Sequence, residues 1–254
     1  MNDQGFMPER LSHSMIETYR RCGLEFKRRY VDRVRRHGNP AMSFGRAFHA
    51  ALEAAHTPGQ SPAAVWLRAF QAELPRPEPG VEHGLIQLQR YRERGYLRGA
   101  PERGFRVMLR NPEWIPIPIV GVIDLLGDRE VGEFKTSRGA WSQHKADQER
   151  QAVLYSYAAG HLRGQPGELY PVRYLVFSTA HKGPPDEFVT EPDSKRLEVF
   201  EVLAATALDG MRAGKFEPCE SALCEGCVEA GAAEIREPRT QSRPQARLIL
   251  DGKE

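Results

Sequence analysis

Two short strand-like segments that each carry charge constrain this 254-residue chain more than any other feature. Residues 119–126 and 130–136 are apolar runs joined by Gly127-Asp128, a pattern of adjacent strands and a tight turn. The first nevertheless contains Asp124, and the second contains Glu133 and Lys135. Strand alternation sets Glu133 and Lys135 on one face with Phe134 on the other, and a hairpin partner brings Asp124 beside them. Two carboxylates and an ammonium group on a half-buried sheet are costly unless paired or bound to an ion, so the pattern calls for a hard divalent cation. A duller arrangement uses the same residues: Asp124 ends a strand at a turn, and Glu133 with Lys135 forms a surface ion pair of little worth. The apolar neighbours of all three favour the metal site.

The pattern on either side completes an α/β reading. Helical periodicity runs from Ser12 or Ser14 through Met15, Ile16 and Tyr19 towards Cys22, and again through Phe26, Tyr30 and Val34. Gly38-Asn39-Pro40 breaks the chain, and a further helix carries Ala47, Phe48, Ala51, Leu52 and Ala55. Two more helices follow at 62–74 and 82–97. From Gly104 the period changes to alternation, with Phe105, Val107 and Leu109 as a first strand before the two acidic ones. A helix at 146–161, a strand at 170–178 and a helix from Asp193 to about Gly214 close the pattern. The expected fold class is α/β, a mixed central sheet flanked by helices. The expected organisation is a helical N-terminal region at 1–100 contributing Cys22 and His49, a core at 101–214, and a cysteine-containing C-terminal segment with a loosely held tail at 215–254.

A formal charge of +2 does not by itself mark a nucleic-acid binder, but the distribution is uneven. Between Tyr19 and His37 stand eight basic residues, Arg20, Arg21, Lys27, Arg28, Arg29, Arg33, Arg35 and Arg36, against Glu25 and Asp32. Such a stretch is either a solvated helix face or a surface that tracks phosphates. The first ten residues lack an apolar core typical of secretory signals, and the most apolar stretch is interrupted by Pro116, Pro118 and Asp124. A cytoplasmic location without a membrane span is expected, where clustered cysteines hold metals more often than they form disulfides. No Gly-x-x-x-x-Gly-Lys-Ser/Thr loop is present, so no ATP-driven motor is evident.

Four motifs in order resemble those of the PD-(D/E)XK nucleases, and within them the RecB-type exonuclease domains. They are Gly45-Arg46-Ala47-Phe48-His49, Gly121-Val122-Ile123-Asp124, Glu133-Phe134-Lys135 and Gln151-Ala152-Val153-Leu154-Tyr155. The resemblance implies a restriction-endonuclease-like core that binds Mg2+ or Mn2+ and hydrolyses DNA phosphodiester bonds. It implies His49, Asp124, Glu133 and the Phe134 backbone carbonyl as metal ligands, with Lys135 orienting or deprotonating the attacking water. Gln151 and Tyr155, four apart on one helix face, would position Lys135 or the DNA backbone. Arg20, Arg21, Arg28, Arg29, Arg35 and Arg36 are candidate DNA contacts, as are the tail residues Arg236, Arg239, Arg243 and Arg247. The implied partner is single-stranded DNA or a DNA end, with a helicase or a CRISPR-adaptation complex as a further partner. A non-catalytic DNA-binding or scaffold subunit on the same fold is the alternative.

Cys22, Cys219, Cys224 and Cys227 resemble the iron-sulfur branch of the family, which implies a [4Fe-4S] cluster. The spacing departs from that pattern: Ala232 and Ala233 stand where the last cysteine is usual, and Cys219 precedes the Cys-x-x-Cys pair instead. Zinc is equally content with four thiolates. A competing site on one helix face, His49, Glu53 and His56, has spacing suited to zinc or a two-metal centre.

Overall fold

Six short segments pair into one mixed sheet, and most of its geometry follows from which edges the third strand offers to its neighbours. The computed structural model describes residues 5–34, 40–73, 80–219, 221, 224–229 and 231. Strand β1 (Leu11–Ser12) leads into helix α1 (His13–Arg21), whose first turn is capped by the Ser12 hydroxyl accepting from the Met15 amide at 3.2 Å. Helix α2 (Gly23–Phe26) continues into a π-helical turn at Lys27–Val31. Helices α3 (Pro40–Ala55), α4 (Pro62–Glu73) and α5 (Val81–Arg94) form a separate layer.

The remaining strands are β2 (Ala100–Val107), β3 (Ile119–Leu126), β4 (Val131–Ser137), β5 (Val172–Ser178) and β6 (Asp186–Thr190). Between them run α6 (Gln143–Gln148) and α7 (Arg150–Leu162), and after them α8 (Ser194–Arg212) and α9 (Glu225–Glu229). The single helix expected at 146–161 is two, because Glu149 adopts an extended backbone between them. Strand β6 was not expected; it follows β5 by an antiparallel turn and covers what would be an open edge.

β2 pairs antiparallel along the whole of β3, from Ala100 with Leu126 to Val107 with Ile119. The other edge of β3 is divided. β4 takes only its end, Leu125 with Gly132 and Leu126 with Val131, while β1 lies parallel at its start, Leu11 with Ile119 and Ser12 with Val120. Between these partners the edge forks open, and β4 turns instead to a full parallel ladder with β5.

Each sheet face has its own apolar cluster. Ile119, Ile123, Val131, Val172, Tyr174 and Val176 pack with residues of α1, α7 and α8. Leu125, Phe134, Leu175 and Phe177 pack with Phe48, Leu52, Trp66 and Tyr91 of α3–α5. Ile123 and Leu125 are two apart in one strand and yet belong to opposite faces, so strand alternation breaks at Asp124. The molecule is thus a mixed sheet between two helical layers, and that break sits at the fork. Among the described residues no helix is long and apolar enough to cross a membrane.

Candidate active site

Asp124 occupies the fork and reaches both layers. Its Oδ2 accepts the Phe134 amide proton at 2.8 Å, replacing the next rung of the β3–β4 ladder, and its Oδ1 lies 3.4 Å from His49 Nδ1 on α3. Gly121 permits the approach that supports this strand. A Cβ there would stand 2.5 Å from the Phe105 ring, which packs edge-on against Tyr155 with centroids 5.6 Å apart. Burial alone would lower the His49 pKa, but the hydrogen bond and charge of Asp124 reverse this and hold it above the usual histidine value.

Glu133 and Lys135 lie on the opposite side of β4 from Phe134, as alternation requires. Glu133 is 3 % exposed, and Lys135 Nζ donates to its Oε1 at 2.7 Å and to Gln151 Oε1 at 2.5 Å. Glu133 Oε2 is buried with no hydrogen-bond partner among the described residues. Burial, with the charge of Asp124 added, pushes the Glu133 pKa up to about 7. Burial opposes the charge on Lys135, but the Glu133 carboxylate outweighs it and raises the ammonium pKa. Tyr155, one turn after Gln151 and hydrogen-bonded to it, is nearly buried, and burial raises its phenol strongly.

His49, Asp124, Glu133, Lys135, Gln151 and Tyr155 therefore surround one place, although they come from α3, two strands and α7. The rival set His49, Glu53 and His56 does not gather. His56 Nε2 meets the Tyr91 hydroxyl at 3.0 Å and its ring stacks on Phe134, while His49 turns to Asp124.

Two residues that the motif reading passes over join the site. Glu102 on β2 stands across the ladder from Asp124, between the paired rungs of Pro101 and Arg103, with a left-handed backbone at φ 47°. Glu102 is exposed on its outer side, and partial loss of hydration and then the charge of Asp124 raise its carboxyl pKa. His13 opens α1 just beyond β1. Its Nε2 is buried without a partner among the described residues, and burial, with Lys135 and Arg150 nearby, holds its pKa down at about 4. Neither is visible as a motif, because β1 is only two residues long and Glu102 depends on a register the sequence does not state.

The basic stretch is partly spent on internal pairing. Arg20 bonds Glu17 at 3.1 Å, Arg21 bonds Glu25 at 2.8 Å, Lys27 bonds Asp32 at 2.8 Å, and Arg29 lies over the Tyr30 ring. Arg28 also has an interaction within the protein. Arg35, Arg36, Arg236, Arg239, Arg243 and Arg247 lie outside the described residues.

At the far end of α1 the four cysteines converge. Their sulfur atoms all lie within 4.8 Å of one another; Cys22, Cys224 and Cys227 are buried and Cys219 is exposed. Cys22 caps α2, its sulfur accepting from the Glu25 amide at 3.3 Å. This arrangement of thiols is one that can bind a metal ion.

No curated protein matches the chain. Among solved structures, a candidate exonuclease from Eubacterium rectale superposes with a TM-score of 0.63 at 13 % identity, covering 87 % of this chain and 88 % of that one. At that identity the likeness concerns the fold. SSO0001 overlaps with a TM-score of only 0.32 at 10 % identity, over 81 % of this chain and 86 % of that one, and carries no argument. The family model for the PD-(D/E)XK nuclease superfamily matches residues 10–229, a span that contains the fork and all four cysteines. On that match, the chain belongs to the PD-(D/E)XK nuclease superfamily.

Proposed function

We propose that this protein is a Mg2+- or Mn2+-dependent deoxyribonuclease, an exonuclease that works on single-stranded DNA or DNA ends. The observation that carries the reading is the unpartnered buried oxygen of Glu133 beside a lysine and facing the charge of Asp124 at an open fork in the sheet. A purely structural ion pair has no use for an orphaned carboxylate oxygen, whereas a hard cation takes such oxygens as ligands. Asp124, Glu133, the Phe134 carbonyl and His49 would hold the ion, which when bound supplies Lewis acidity and a water of lowered pKa.

The protein's own contribution is positioning. Lys135, anchored by Glu133 and Gln151, presents a fixed ammonium group to the attacking water or the scissile phosphate. Tyr155 backs Gln151 and thereby fixes the amide that holds the lysine. His49 fixes Asp124 from the other layer. Arg20, Arg21, Arg28 and Arg29 are offered as phosphate contacts along the approaching strand, and the described pairing makes them weaker ones than their number suggests. On this reading the substrate is pre-opened DNA, or DNA opened by a helicase or CRISPR-adaptation partner. The cysteine group supports a structural metal, which the resemblance makes a [4Fe-4S] cluster and the chemistry of four thiolates equally allows to be zinc.

The test is cleavage of end-labelled single-stranded and duplex oligonucleotides with Mg2+ or Mn2+ present or chelated. Cutting that requires the ion and falls to background in Asp124→Ala, with the circular dichroism spectrum unchanged, is the expected result. Undiminished ion-dependent cutting by Asp124→Ala would remove the assignment.

A further inference from the structure

Four sulfur atoms can meet around one ion or around a cluster, and the two demand different spacings. A single zinc ion binds each thiolate at about 2.3 Å, which places tetrahedral ligands about 3.8 Å apart. A [4Fe-4S] cube attaches each thiolate to a different iron, pointing outward from its corner, so the sulfurs stand well apart on the outside of the cluster. Here Cys22 and Cys227 are 3.5 Å apart, Cys219 and Cys227 are 3.7 Å apart, and all four sulfurs lie within 4.8 Å of one another. That spacing matches one ion and is tighter than the outer sulfurs of a cube require. The distances are also far longer than the disulfide bond of about 2.05 Å.

The surroundings prepare the thiols for an ion. The Glu25 amide donates to the Cys22 sulfur, an outer contact of the kind that orients metal-bound thiolates. Gly226, between Cys224 and Cys227, lets α9 press onto α2: a Cβ there would stand 2.9 Å from the Glu25 Cα. Glu25 is 4 % exposed, takes Arg21 on one oxygen and accepts from the Cys224 thiol at 3.6 Å on the other, so a buried, already paired carboxylate adjoins the thiols. A closed set of four ligands leaves no open position, which makes the ion structural. Between metals that accept one tetrahedral thiolate site, zinc outranks ferrous iron in affinity.

We propose that Cys22, Cys219, Cys224 and Cys227 hold a single tetrahedral zinc ion, in place of the iron-sulfur cluster that the family resemblance implies, and that this ion clamps the α1–α2 junction to α9. The proposal is independent of the nuclease reading.

The test uses full-length protein purified without oxygen. It is expected to be colourless, to contain zinc in a one-to-one ratio with the chain, and to lack iron and acid-labile sulfide. Exchange of the zinc for cobalt(II) is expected to produce the intense visible bands of tetrahedral cobalt-thiolate coordination. Cys219→Ser, which alters the exposed ligand, is expected to surrender zinc to a chromogenic chelator at least about tenfold more readily. If that variant does not fold, the zinc content and cobalt spectrum of the unaltered chain decide the matter. A brown protein with iron and sulfide, a red one with a single iron, or a metal-free protein with its cysteines in disulfides would each overturn the proposal. Zinc retained in an Asp124→Ala protein, or lost without change in cleavage, keeps the two readings separable.

Discussion

A buried carboxylate with an unsatisfied oxygen is expensive to keep ionised, and Glu133 shows the size of that expense. Burial, and then the charge of Asp124, push its carboxyl up to about 7 in the folded protein from the usual glutamate value of 4.5. The unfolded chain therefore gives up this proton first, and the folded state loses stability as the pH rises from 4.5 to 7, with the whole cost present above 7. At about 1.4 kcal/mol per pKa unit the cost is of the order of 3 kcal/mol. Glu133→Gln is accordingly expected to abolish cleavage and, although it leaves Lys135 without its carboxylate partner, to improve the stability of the metal-free protein relative to the unaltered chain as the pH rises from about 5 to about 8. Denaturant titrations at the two pH values measure it, and a gain that ignores pH would contradict the account. His13 behaves in the opposite sense. Burial holds its pKa down at about 4, below the usual histidine value of 6.5, so its contribution is intact above 6.5 and is lost as the pH falls towards 4. Comparing the acid unfolding of His13→Gln with that of the unaltered protein isolates this contribution: the variant should lose less stability across that window.

Elements are joined here by a few polar fasteners set in apolar layers. Glu201, fully buried on α8, accepts from the Arg110 amide at 2.8 Å, the Arg110 guanidinium at 3.0 Å and the Asn111 amide group at 2.8 Å, and so fixes the β2–β3 connection to the helix. Glu201→Ala would leave a buried amide donor and a cavity, and is expected to cost about 2–4 kcal/mol. Thermal unfolding would register this, and a shift of less than a degree would show that water replaces the carboxylate without penalty. Helices α3 and α8 were readable in the sequence because each repeats its period over several turns, and β3 because it is an apolar run ended by a turn. The facing of Glu133 and Lys135 opposite Phe134 followed from alternation alone. What could not be read was the set of exceptions: the extended Glu149 that divides α6 from α7, the left-handed Glu102, and the two-residue β1. Each depends on tertiary neighbours rather than on local period. The convergence of His49 with Asp124 was reached only through the family's motif order, since residues 75 apart leave no periodic trace.

Across the whole molecule, α1 joins the two chemically loaded regions, with His13 near Lys135 at one end and Cys22 at the other. Tyr19 on the same helix donates to the Lys215 carbonyl at 2.7 Å, which secures its last turn to the segment after α8. Linking Cys22 to Cys227 closes a loop of 205 residues, worth up to about 5 kcal/mol in a loop-closure model. Stripping the metal from the cysteines is therefore expected to raise amide exchange in α1, α2 and α9 before it does so in β3–β5. Uniform loosening of the sheet would show that the clamp and the core unfold as one unit. The divided edge of β3 has its own consequence. By taking the Phe134 amide, Asp124 works as a doorstop: the hydrogen that would zip β4 against β3 is already claimed, and the seam stays ajar. A single acid thus props the entrance, so that its loss by mutation would free that hydrogen and let the gap shut.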